Sequence, residues 1–186
     1  MTAVIFDLDG VLVDSFAFWL VLMNDCARAS GHREIDADAL ARSWGQSGRE
    51  DQAEFFPDWT VEQVTRHYDA RMTAYAGSLA PRTETVDRAR SIQRQGGRIG
   101  VLTNSSRAFT DLALLRCALT PDVVVTVDDV QQPKPHPEGL LVACRLLDTP
   151  APAALFVGDS ACDAEAARAA GVPFQLVGSP LPGACR

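Results

Sequence analysis

From Arg82 to Val177 the chain alternates helix and strand signals without a break, and this alternation most restricts what it can fold into. Thr83–Gln95 reads as a helix opened by a threonine and stopped by Gly96-Gly97. Ile99–Leu102 reads as a strand, Arg107–Cys117 as a helix, Val123–Val127 as a strand and Pro137–Leu147 as a helix. Ala154–Val157, Ala161–Ala170 and Phe174–Val177 continue the series, with Gly171 closing the helix, and Ala3–Phe6 supplies a fifth strand near the N-terminus. Short apolar strands joined by helices bury both faces of a parallel sheet. The expectation is an α/β fold with a doubly wound, mostly parallel sheet.

Asp14 to Ala80 departs from this rhythm. It carries helical signals only, at Phe16–Ala29, Asp36–Trp44, Gly48–Phe55 and Thr60–Ala76, with no convincing strand. It is acidic and holds all three tryptophans, Trp19, Trp44 and Trp59. The expected division is a core of residues 1–14 and 81–186, with residues 15–80 inserted as a helical cap over the C-terminal edge of the sheet. Phe16–Met23 is apolar nearly all round, as in the buried helix of a small bundle. A dimer contact is the competing reading, so monomer and homodimer both stay open.

The chain has 186 residues, 47% of them hydrophobic, enough for one core with one small insertion. Net charge is −7 with no basic stripe, which argues against a nucleic-acid partner but not against a small anionic substrate. Asp7 and Asp9 interrupt the first apolar stretch and no basic segment precedes it, so no signal peptide is read. Phe16–Met23, the longest apolar run, is too short for a bilayer. A soluble cytoplasmic protein with no membrane partner is expected. The five cysteines (Cys26, Cys117, Cys144, Cys162, Cys185) lack CxxC spacing and fit neither a disulfide framework nor a zinc site. Most read as small core residues, with Cys185 a candidate exposed thiol. His32, His67 and His136 are too scattered for a metal cluster.

Chemistry-bearing residues gather where the strands end. Asp7 and Asp9 follow Ala3–Phe6, and in open α/β sheets the ligand crevice lies outside such strand ends. A turn or helix cap explains one aspartate there, but two alternate carboxylates fit poorly without a cation or a reaction. Thr103-Asn104-Ser105 follows the next strand, where a helix cap and a phosphate cradle are equal readings. Lys134 is the single lysine among seventeen basic residues, set in a loop of prolines, and offers a compact charge to a crowded pocket. Asp159 and Asp163 are four residues apart and share one helix face. Four carboxylates against one lysine call for a hard divalent cation with oxygen ligands.

These segments carry a family resemblance. DLDGVLVDS at Asp7–Ser15, TNSS at Thr103–Ser106, KPHPEG at Lys134–Gly139 and GDSACDAEAARAAG at Gly158–Gly171 resemble the motifs of the haloacid dehalogenase superfamily, in order and in spacing. The chain resembles its phosphatase and phosphomutase branch with a small helical cap, which implies a Rossmann-like core. On that resemblance Asp7 is the nucleophile, forming an aspartyl-phosphate, and Asp9 is the acid and base. Thr103, Asn104 and Lys134 bind the phosphoryl group. Mg²⁺ is held by Asp7, the Asp9 carbonyl and Asp159, with Asp163 as a ligand or just behind one. Trp44, Gln46 and Arg49 align with the loop that sets substrate choice. Arg49 reads equally as a clamp for a second anion and as a solvated charge.

The resemblance implies a Mg²⁺-dependent phosphatase for a small phosphorylated metabolite, phosphoglycolate-like or sugar-phosphate-like. Dehalogenases of the family lack the second aspartate, and its phosphonate-cleaving members need a cap lysine that residues 15–80 do not contain. Hexose-phosphate mutases of the branch carry a histidine where this chain has Trp19. That departure favours simple hydrolysis, but Val11-Leu12-Val13 after Gly10 resembles the mutases, so a mutase remains as the alternative and a non-catalytic phospho-ligand-binding regulator as a further one. Trp19 itself reads as core rather than substrate wall, and His136 as structural.

Overall fold

The computed structural model describes residues 3–177. Five parallel strands form the central sheet: β1 (Ala3–Phe6), β4 (Arg98–Leu102), β5 (Val123–Val125), β6 (Ala154–Gly158) and β7 (Phe174–Leu176). Their order is β5-β4-β1-β6-β7, so β1 is central and the chain winds outward from it in both directions. Strand residues alternate between faces. Val4 and Phe6 of β1 join one apolar cluster, and Ala3 and Ile5 join the other. The first cluster includes Val86 and Ala89 of α5 (Thr83–Arg94) and Phe109 and Ala113 of α6 (Arg107–Cys117). The second includes Leu140 and Ala143 of α7 (Glu138–Leu146) and Ala166 and Ala167 of α8 (Ala161–Ala170). Both faces of β1 are covered, which is why its sequence reads as an unbroken apolar run.

Between β1 and α5 lie four helices: α1 (Phe16–Ser30), α2 (Ala37–Arg42), α3 (Gly48–Phe55) and α4 (Val61–Tyr75). Each begins at a polar residue suited to capping (Ser15, Asp36, Ser47, Thr60). Helices α1 and α4 are tied by a 2.8 Å contact between His67 Nε2 and Asp25 Oδ2. Leu22, Met23 and Cys26 of α1 and Val64, Tyr68 and Met72 of α4 join the cluster that covers Val4 and Phe6.

Two sequence expectations change here. The stretch expected to hold no strand begins and ends in a short antiparallel ribbon of β2 (Val13–Asp14) and β3 (Ala80–Pro81), pairing Val13 with Pro81 and Asp14 with Ala80. Two-residue strands with no alternation to read leave no pattern in the sequence. The segment Phe16–Met23 is also not buried all round: Val21 is 42% exposed and Ala17 is exposed, so the helix has one wet side. Cys26, Cys117 and Cys144 are buried free thiols, while Cys185 lies outside the described residues. Among the described residues no helix is long and apolar enough to cross a membrane.

Candidate active site

The C-terminal ends of β1, β4 and β6 open on one crevice. The Asp7 N–H donates to the Val157 carbonyl (2.8 Å), extending the β1–β6 ladder by one residue and fixing where the Asp7 side chain leaves the sheet. The chain then folds back through residues 8–13, with Leu8, Val11, Leu12 and Val13 fully buried as anchors. Gly10 is the residue this turn requires. It has a φ of +73°, and a Cβ there would come 1.9 Å from Asp159 Oδ2.

Lys134 is buried and donates to Asp7 Oδ1 and to Asp163 Oδ1, each at 2.7 Å. Its ammonium also lies 5.7 Å from the centre of the Phe156 ring. Asn104 holds its backbone on both sides: Lys134 N–H donates to Asn104 Oδ1, and Asn104 Nδ2 donates to the Lys134 carbonyl, each at 2.9 Å. Glu138 steadies the start of the same loop, its carboxylate accepting from the Gln131 and Gln132 N–H groups. Partnered on two sides by carboxylates, the Lys134 ammonium is held well above the ordinary lysine range despite the opposing effect of burial.

Asp163 stands in the first turn of α8 and is fully buried. Its Oδ2 accepts from the Ser160 hydroxyl (2.6 Å) and from the Ser160 and Asp159 N–H groups. With Lys134 on Oδ1, both oxygens are committed. Asp159 differs, because its buried Oδ1 has no hydrogen-bond partner among the described residues. Carboxylate oxygens of Asp7, Asp159 and Asp163 lie within 4.8 Å of one another. Burial and this mutual repulsion push Asp7 well above the usual carboxylate range and Asp159 up to about 7. Hard oxygen donors, excess negative charge and an unpaired buried oxygen suit a divalent cation such as Mg²⁺.

Asp9 sits beside this cluster rather than in it. Its Oδ1 accepts from Ser15 Oγ and from the Trp19 indole N–H (2.8 Å), and its Oδ2 from Ser105 Oγ (2.7 Å). Trp19, expected as core, therefore binds the second motif aspartate. Ser15 and Trp19 are one helical turn apart at the start of α1, so a spacing visible in the sequence puts both donors on one face. Thr103 is buried at the end of β4, its hydroxyl accepting from the Ser105 N–H. The Asn104 side chain, expected as a phosphate ligand, is occupied by Lys134 and by the Gly45 carbonyl (2.9 Å). Its visible work is to pin the lysine loop to the loop after α2.

These groups face a cavity of about 310 Å³, which Asp7, Asp9, Thr103, Asn104 and Lys134 share with Trp44, Gln46 and Arg49. The loop candidates thus line the same space as the carboxylates. The remaining wall comes largely from α1 and α4, including Met23, Val64, Tyr68 and Met72, none of which stood out in the sequence because they read as ordinary helix core.

A family model described as haloacid dehalogenase-like hydrolase matches residues 4–177. The chain belongs to this family. It is 37% identical to a plasmid-borne phosphoglycolate phosphatase of Cupriavidus necator, over 95% of this chain and 80% of that one. It is 30% identical to pyrophosphatase PpaX of Bacillus cereus, over 98% and 86% respectively. The crystal structure of CbbY from Rhodobacter sphaeroides in complex with phosphate superposes with a TM-score of 0.83 at 25% identity, covering 92% of this chain and 84% of that one. Family and fold therefore stand as the motifs implied.

Proposed function

We propose that this hydrolase is a Mg²⁺-dependent phosphatase that cleaves a small phosphorylated metabolite through an aspartyl-phosphate on Asp7, with residues 15–80 as its cap. The observation that carries this reading is the Lys134 ammonium, buried between Asp7 and Asp163 at 2.7 Å from each and opening on the cavity. The phosphatase and pyrophosphatase names of the similar curated proteins support it. A volume of about 310 Å³ is at the small end for ligand sites, as a small metabolite requires.

In the first step a carboxylate oxygen of Asp7 attacks phosphorus and the ester P–O bond breaks. The leaving oxygen takes a proton from Asp9. In the second step a water gives its proton to Asp9 and attacks phosphorus, releasing phosphate and restoring Asp7. Trp19 decides where Asp9 carries that proton. An indole N–H only donates, so Oδ1 stays an acceptor, whereas the Ser105 hydroxyl on Oδ2 can turn and accept. The mobile proton therefore belongs on Oδ2. Lys134 and Thr103 hold the phosphoryl oxygens, and Asn104 acts by fixing the lysine loop. Asp7, the Asp9 carbonyl and Asp159 would hold Mg²⁺, with Asp163 behind them bracing Lys134. Bound there, the cation supplies positive charge against the developing charge of the transfer.

The test is phosphate release from a panel of phosphomonoesters, with Mg²⁺ and with a chelator. Turnover should need the metal. Acid-quenched enzyme should show a phosphorylated peptide containing Asp7. Metal-independent turnover, or label on another residue, rejects the assignment.

A further inference from the structure

The lining that residues 15–80 give the cavity leaves buried polar atoms open. Tyr68 on α4 is only 8% exposed, lines the cavity, and its hydroxyl has no hydrogen-bond partner among the described residues. A buried hydroxyl left unpaired is costly, and a ligand group in the cavity is what can pair it. The Gln46 amide oxygen, also lining the cavity, is likewise buried and unpartnered.

The charges around these groups point the same way. Asp51, Asp69 and Asp128 line the cavity, and the cations in its lining are Arg49 and Lys134. Lys134 is committed to Asp7 and Asp163. Arg49, Asp69 and Asp128 are all exposed, so the lining offers one free cation against two exposed carboxylates. Asp69 and Asp128 are near enough for Asp128 to push Asp69 upward, after burial. Burial, with Glu50 and Glu54 beside it, pushes Asp51 up to about 8. Carboxylate or phosphate on the leaving group would meet surplus negative charge. A hydroxyl both donates and accepts, and so can pair with the tyrosine, the amide and the acids alike. Met23, Val64 and Met72 offer apolar surface for carbon.

We propose that the site selects phosphate monoesters whose leaving group is a neutral, hydroxyl-bearing carbon chain or ring, with the Tyr68 hydroxyl as a specificity-determining contact, and disfavours esters carrying a second anionic group. This rests on the phosphatase reading and narrows its substrate class away from phosphoglycolate and pyrophosphate. The experiment compares kcat/KM in Mg²⁺ for glycerol phosphate and hexose phosphates, for phosphoglycolate and pyrophosphate, and for nitrophenyl phosphate as a reference lacking both hydroxyls and a second anion.

The polyol and sugar esters should exceed the two substrates that carry a second anionic group by about tenfold or more. Tyr68→Phe should lower their specificity constants about tenfold while nitrophenyl phosphate changes less than about twofold. The substitution removes only an unpaired oxygen, and an unchanged melting temperature checks the fold. A preference for phosphoglycolate or pyrophosphate overturns the proposal, as does an equal loss on all esters in the variant. A wild-type enzyme inert toward every ester, nitrophenyl phosphate included, overturns the phosphatase reading itself.

Discussion

The two ends of the cavity are finished differently. At the core end Lys134, Asp163 and Asn104 have nearly every polar atom committed at 2.6–3.2 Å, across β1, β4, β6 and the lysine loop. Asp159 Oδ1 is the open atom there, suited to a cation, whereas in the helical segment Tyr68 of α4 and Gln46 of the loop after α2 leave buried polar atoms open and Asp51 is pushed up to about 8. A reaction with a fixed charge pattern gains from groups that need no rearrangement. Recognition of a leaving group needs atoms that wait for a partner. The contrast separates what this chain does to phosphorus from what it chooses to do it to.

The largest expected effect tests the core end. Asp7→Asn should cut kcat by about 10³-fold or more, measured by phosphate release. It should leave the melting temperature of the metal-free protein within a few degrees, because Lys134 keeps Asp163 as its partner and the carboxylate removed is one that burial and Asp163 disfavour. A folded variant with most of its turnover would move the nucleophile elsewhere. Lys134→Met should cost about 3–5 kcal/mol in urea unfolding, since it leaves two buried carboxylates without their cation. A loss under about 1 kcal/mol would mean that the core end is less tightly coupled than its geometry.

Trp19→Phe keeps an aromatic ring but drops the N–H on Asp9. It should lower kcat about tenfold with KM and melting temperature nearly unchanged. A purely structural role would show instead as a lower melting temperature with kcat retained. The smallest effect belongs to the other end. Asp51 has a folded-state pKa raised from 3.8 to about 8, so the stability it contributes is full below about pH 4 and is lost as pH rises to about 8. Asp51→Asn should therefore gain melting temperature over wild type across that window and keep a constant difference above it. A flat difference from pH 4 to 8 would show that Asp51 ionises normally.

The sequence made the sheet legible because β1, β4 and β6 are apolar runs ended by glycine or by motif residues. Helices such as Thr83–Arg94 and Ala161–Ala170 carry their own stops, at Gly96-Gly97 and at Gly171. The order of the strands was not written in any local pattern. Motif residues were legible for a related reason: a carboxylate at a strand end has few bland explanations. Tyr68 and Asp51 were not, because a tyrosine on the apolar face of α4 looks like core until the cavity beside it is seen. Trp19 lay between these cases. Its spacing from Ser15 was available, but an aromatic in the run Phe16–Met23 reads as packing. Asn104 carried a double meaning, and its amide is occupied by backbone at Gly45 and Lys134.

The ribbon of β2 and β3 has a consequence of its own. Chain entering the four-helix segment at Val13–Asp14 and chain leaving it at Ala80–Pro81 run side by side, so the two crossings are adjacent strands of one ladder. Adjacent antiparallel strands stand about 5 Å apart. A folded module whose own ends are that close can be joined there without stretching the sheet. To carry selectivity across without disturbing the acid and base, a donor segment would have to keep the Ser15 and Trp19 donors on Asp9 and the apolar face that covers Val4 and Phe6.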